Sequence, residues 1–286
     1  MACNMSKRIT AAILVMLLGI GLMAYAGAEL LQTDQIYKEG NSAYEELRIN
    51  IRGSAGGSSD SSRLPDRPDS VEYSKDTEEL EITPIYYTRI HIPEIEINFK
   101  GLKEINEDAV AWLYSPGTVI DYPVMQANDY SYYLDRLPDR TYNANGSLFI
   151  DYNSASDFSD KLTVIYGHHM RSGAMFGSLK GYKEQSYYDD NPYMYLYTEN
   201  GNYRITLLYG FVVGAGQWRD RAFMFQENVK SLIAFAEYSA TFESSAEYNE
   251  GDRLIALSTC SYEFNDARYV VLGILENEYQ RSTATS

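Results

Sequence analysis

Apolar and polar positions along the chain change their rhythm three times, and each change predicts a different kind of structure. Residues 9–28 are almost continuously apolar, with Lys7 and Arg8 before them and Glu29 and Asp34 after. About 20 such residues suffice to cross a bilayer as a helix. The charge order places the N-terminus inside and the rest of the chain outside. The run exceeds a usual signal-peptide core, which favours a retained anchor, although Ala24-Tyr25-Ala26 also resembles a cleavage site. Residues 32–52 follow a helical rhythm, with Tyr37, Tyr44, Leu47 and Ile51 roughly on one stripe. The Gly/Ser-rich stretch 53–62, Pro65, Pro68 and the acidic run 76–81 have linker composition. Residues 29–80 therefore read as an extracellular stalk.

From residue 86 onward, short apolar runs alternate with turn signals. Ile90, Ile92, Ile95 and Ile97 suggest a strand broken at Pro93, and 106–113 looks like a short capped helix. Strands are expected at 119–125, 147–150, 162–166, 193–197, 203–213, 253–259 and 269–275, and short helices at 130–137 and 225–238. Many short strands with few helices indicate a mainly β fold, a sandwich or a barrel. The domain boundaries that follow are a tail at 1–8, a membrane helix at 9–28, the stalk at 29–80, a catalytic domain at 81–279 and a C-terminal tail at 280–286.

Composition narrows the chemistry. The 286 residues carry a net charge of −16 without a useful basic run, which argues against nucleic acid as a partner. The 27 tyrosines suit surfaces that are part apolar and part wet. The two cysteines, Cys3 and Cys260, are separated by the membrane segment, so Cys260 is an unpaired thiol. It ends the strand in Leu257-Ser258-Thr259-Cys260, and after a short polar link Arg268 begins the next. So short a link makes the two strands antiparallel neighbours. Cys260 and Arg268 then meet at one sheet edge, where the cation favours thiolate. A buried core cysteine is the alternative. Of the three histidines, His91 lies in a strand-like run, whereas His168 and His169 follow a strand and Gly167 at a loop mouth. No cluster of metal-ligand spacing accompanies them.

Leu257-Ser258-Thr259-Cys260, Arg268-Tyr269-Val270-Val271 and Tyr166-Gly167-His168 together resemble the sortases of Gram-positive bacteria. Asp121-Tyr122-Pro123-Val124, the segment from Gly146 to Tyr152, and Met175-Phe176-Gly177-Ser178-Leu179 look like class B members. The resemblance covers about residues 85–276. It implies a closed β-barrel of about eight strands with peripheral helices, no cofactor and no metal. It also implies a cysteine transpeptidase with Cys260, His168 and Arg268 as catalytic residues, His168 being chosen over His169 because the family's base follows Gly directly. Ser258 and Leu134 match family positions near bound substrate. The segment 126–130 is offset from the family's asparagine, so no contact is carried onto it.

The implied reaction cleaves an Asn-Pro-x-Thr-like sorting motif of exported surface proteins and passes the acyl group to an amine of a lipid II-type peptidoglycan precursor. The implied location is the cell membrane. With reference pKa values of about 8.5 for Cys and 6.5 for His, the thiolate–imidazolium pair is a minority form of order one per cent, and Arg268 favours one ion while disfavouring the other. An exported cysteine protease and a non-catalytic stalked β domain are the competing readings.

Overall fold

The computed structural model describes residues 2–52, 86–224, 229–260 and 265–282. The Gly/Ser-rich and acidic parts of the expected linker lie outside them. Helix α1 (Ala2–Ile51) is continuous and joins the apolar run to the polar stripe. Strand β1 (Tyr86–Arg89) pairs antiparallel with β10 (Tyr279–Ser282), so part of the stretch read as a tail is in a strand. The remaining strands form one closed barrel. They are β2 (Ala109–Tyr114), β3 (Asp121–Met125), β4 (Leu148–Ile150), β5 (Leu162–Tyr166), β6 (Tyr193–Thr198), β7 (Gly201–Gly214), β8 (Arg253–Cys260) and β9 (Ala267–Asn277). Around the barrel their order is β2-β3-β4-β5-β8-β9-β7-β6. Helices α2 (Phe99–Ile105), α3 (Gln185–Asp190), α4 (Ala215–Met224) and α5 (Val229–Tyr238) are peripheral.

The two faces of each strand explain the barrel. Ile255 and Leu257 of β8 join Tyr269 and Val271 of β9, Ile165 of β5 and Leu113 of β2 in the interior cluster. The alternate residues Leu254, Ala256, Val270 and Leu272 face outward and are covered by Trp218 of α4 and Val229, Leu232 and Ala236 of α5. A strand pattern apolar on both faces therefore marks the wall that carries helices. Pro123 is tolerated in β3 because β4 pairs only with Val124 and Met125, beyond the proline.

Two local expectations are corrected. Residues 106–113 are not a helix. The helix precedes them as α2, capped by Asn98, whose Oδ1 accepts from Gly101 N, and Asn106 is its C-cap. The Asn106 amide instead donates to Tyr133 Oη and the Pro138 carbonyl, and its Oδ1 accepts from Asp108 N, which turns the chain into β2. Residues 90–97 are not a strand either; they run extended, with an isolated bridge from Ile97 to Arg52.

Up to Ile51 the expected stalk is the continuation of α1, and its end is docked. Tyr44 and Ile51 are buried. Tyr44 Oη donates to the Gly146 carbonyl at 2.6 Å, and its ring meets Tyr122 edge-on at 5.0 Å. Arg48 Nε donates to the Asp121 carbonyl at 2.9 Å, and Arg52 pairs with the Asp121 carboxylate. At Gly40 an added Cβ would lie 2.3 Å from Asn145 Nδ2, so a larger residue there would have to displace the Asn143 and Asn145 side chains.

Candidate active site

Three strand ends meet on the outer wall of the barrel. Strands β8 and β9 pair antiparallel with Cys260 opposite Arg268. Residues directly opposite in such a pair share a face, with Cβ atoms about 5 Å apart. Strand β5 runs parallel to β8 on the other side, with Tyr166 beside Ser258. His168 and Cys260 each lie two residues further on, His168 just past the end of β5. The order along the wall is His168, Cys260, Arg268.

Several bonds hold this edge. Gly167 N donates to the Ser258 carbonyl at 3.2 Å, and Thr259 Oγ1 donates to the Gly167 carbonyl at 2.7 Å. His169 Nδ1 donates to the Cys260 carbonyl at 2.9 Å. Together they extend the β5–β8 pairing past its last strand residue. His168 Nε2 donates to the Leu134 carbonyl at 2.5 Å. That bond fixes the tautomer and leaves Nδ1 as the nitrogen able to take a proton.

The sequence-derived residues are placed as follows. Cys260 is exposed, which removes the buried-core alternative. Arg268 is half-buried; among the described residues its guanidinium donates only to the Ala267 carbonyl, at 3.0 Å, and no carboxylate neutralises it. Leu134 ends a 3₁₀ turn and is 44% exposed beside His168. Ser258 shares the face of Cys260 but is buried, and its hydroxyl has no partner among the described residues. Residues 261–264, the link after Cys260, lie outside the described residues. No group of three or more His, Cys, Asp or Glu among the described residues is placed to hold a metal.

Residues given no role of their own from sequence also shape the site. Gly146 has φ +58°, and a Cβ there would lie 2.8 Å from His168 Cδ2 and 2.6 Å from the Leu134 oxygen. The Asn145-Gly146 pair was the available signal, as a turn dipeptide. Tyr166 stacks on Phe149 at 5.5 Å, and burial pushes its phenol up. Asp129 accepts from the backbone of Ser131 and Tyr132, which starts the turn leading to Leu134 and lowers the Asp129 carboxyl.

No family profile matches the sequence. Individual relatives do. A sortase B of Listeria monocytogenes is 29% identical over 185 residues, covering 64% of this chain and 75% of the relative. One of Staphylococcus aureus is 26% identical over the same length, covering 76% of the relative. The crystal structure of Clostridium perfringens sortase B matches with a TM-score of 0.58 and 30% identity, over 63% of this chain and all of that one.

Proposed function

The chain belongs to the class B sortases, and from that premise we propose that Cys260, His168 and Arg268 carry its transpeptidation. The observation behind this assignment is that these three residues lie at or just past neighbouring strand ends, with an exposed thiol on the middle one. Cys260 Sγ, its proton passed to His168 Nδ1, attacks the carbonyl carbon of the motif's threonine. The C–N bond breaks, and His168 gives a proton from Nδ1 to the departing amine, leaving a thioester on Cys260. An incoming amine then attacks the thioester, His168 takes its proton, and the thiolate leaves. The fork of Arg268 donates to the oxyanion formed in both attacks.

The donor is an exported protein with an Asn-Pro-x-Thr-like motif, and the acceptor is an amine of a peptidoglycan precursor. Support for this finer reading comes from the relatives: solved structures include a Staphylococcus aureus sortase B–substrate complex and a sortase B complexed with triglycine. The apolar part of α1 anchors the enzyme in the cell membrane. Its N-terminus lies in the cytoplasm and its barrel outside, in keeping with Lys7 and Arg8 before the span. Met16, Leu17, Leu18, Leu22 and Met23 are exposed, as a lipid-facing helix requires.

The test is a peptide carrying the motif, incubated with the enzyme and triglycine. The amide product is expected to exceed the acid, and Cys260→Ala is expected to abolish both with an unchanged unfolding temperature. Predominant acid would instead indicate a protease, and turnover above a few per cent in Cys260→Ala would remove Cys260 as nucleophile.

A further inference from the structure

The contacts of α1 fix an orientation as well as an attachment. From its C-terminal end toward its N-terminal end, the helix meets the barrel strands in their ring order. Arg52 lies over the Tyr114 ring of β2 at 4.4 Å and pairs with Asp121 of β3. Arg48 reaches the Asp121 carbonyl and lies over the Tyr122 ring at 4.9 Å. Tyr44 bonds Gly146 and Ser147, at the start of β4. The carbonyls of Ile36 and Tyr37 accept from Asn143 and Asn145, just before β4. After β2, β3 and β4, the next strands in the ring are β5 and β8. Those strands end at Tyr166, two residues before His168, and at Cys260. The helix therefore leaves the barrel on the side that carries the site.

The helix also stays regular between the apolar run and the dock. Tyr25 Oη donates to Glu29, Thr33 Oγ1 to the Glu29 carbonyl, and Gln35 Nε2 to Glu39, while Lys38 pairs with Asp34 at 2.6 Å. The Tyr25–Glu29, Gln35–Glu39 and Lys38–Asp34 pairs are one-turn side-chain contacts that support a helix. From Ala28 to Ile36 is roughly 12 Å at about 1.5 Å per residue. A helix of that length is a spacer rather than a tether.

We propose that α1 is a rigid strut that holds the barrel in one pose, with its Cys260-bearing wall turned toward the bilayer surface and α2 turned away. This rests on the membrane-anchor reading above. Its partner surface is the lipid face itself, and substrates reach Cys260 through the layer between that face and the barrel.

The test uses full-length protein in vesicles whose headgroups carry an energy-transfer acceptor. One sample has a donor dye on Cys260 with Cys3→Ser. The other has the dye at Glu104→Cys, on the exposed end of α2, with Cys3→Ser and Cys260→Ser. Dye on Cys260 is expected to transfer at least twofold more efficiently. Inserting a flexible Gly/Ser segment of about ten residues after Leu31 is expected to erase the difference. Equal transfer from the two dyes in the uninterrupted protein, or more from position 104, overturns the strut. A difference that survives the insertion overturns the role of α1 in setting it. Flotation of the vesicles separates the two readings: protein that does not float with them refutes the anchor, and the pose with it.

Discussion

Gly146→Ala couples the backbone of one turn to the proposed catalytic residues, and its cost can be worked from the geometry. Gly146 sits at φ +58°, where an alanine pays about 1–2 kcal/mol. Its Cβ would lie 2.6 Å from the Leu134 oxygen and 2.8 Å from the Tyr133 oxygen. Both are backbone atoms, so no rotamer change relieves the overlap, and forced repacking adds about 1–3 kcal/mol. The expected destabilisation is then about 2–5 kcal/mol in urea unfolding. The third close atom, His168 Cδ2 at 2.8 Å, belongs to the proposed acid–base residue. A shift of about 1 Å in a reacting group costs on the order of 100-fold, so kcat is expected to fall by about that factor. Gly146→Asn separates the two effects. Asparagine tolerates the left-handed region better but keeps the Cβ, so it recovers part of the stability and little of the rate. An alanine variant within about 0.5 kcal/mol of the parent, with normal kcat, would refute the reasoning.

Other outcomes follow from the same geometry. His168→Ala is expected to lose nearly all transpeptidation, while His169→Ala, which removes a bond to the Cys260 carbonyl, loses far less; interchanged effects in a peptide assay would make His169 the base. Arg268→Lys keeps the charge but loses the fork, and its turnover is expected to drop about 100- to 1000-fold with the pH profile of Cys260 alkylation nearly unchanged; near-normal turnover would show that charge alone suffices. Tyr44→Ala removes a buried ring and two hydrogen bonds, so calorimetry is expected to show a loss of about 3 kcal/mol. An unshifted transition would mean that α1 is not docked in solution.

Much of the site was legible because it depends on strand ends. Leu162–Tyr166 and Arg253–Cys260 are short apolar runs closed by polar residues, and such runs announce both the strand and the point where side chains leave it. Cys260 opposite Arg268 follows from the short link alone, whereas the choice of His168 needed the family resemblance. The dock of α1 was only half legible. Its stripe of Tyr37, Tyr44, Leu47 and Ile51 is in the sequence, but the surface it meets is built from Asn143, Asn145 and Asp121, polar residues with no periodicity to betray a buried partner. The helix read at 106–113 failed because Asn106 imitates an N-cap while serving as a C-cap. α4 was missed because Ala215–Met224 continues directly from β7, with no turn signal between them.

The parallel pairing of β5 with β8 has a consequence for the newly made chain. Residues 167 and 259, which bond to one another beside Cys260, are separated by 92 positions, and β6, β7, α4 and α5 all lie between them. Contacts of such long sequence separation bear a large closure entropy and form slowly. The newly made chain therefore carries its thiol apart from His168 until β5 and β8 have paired. By the proposed mechanism, the first turnover then reports the pairing of these two strands.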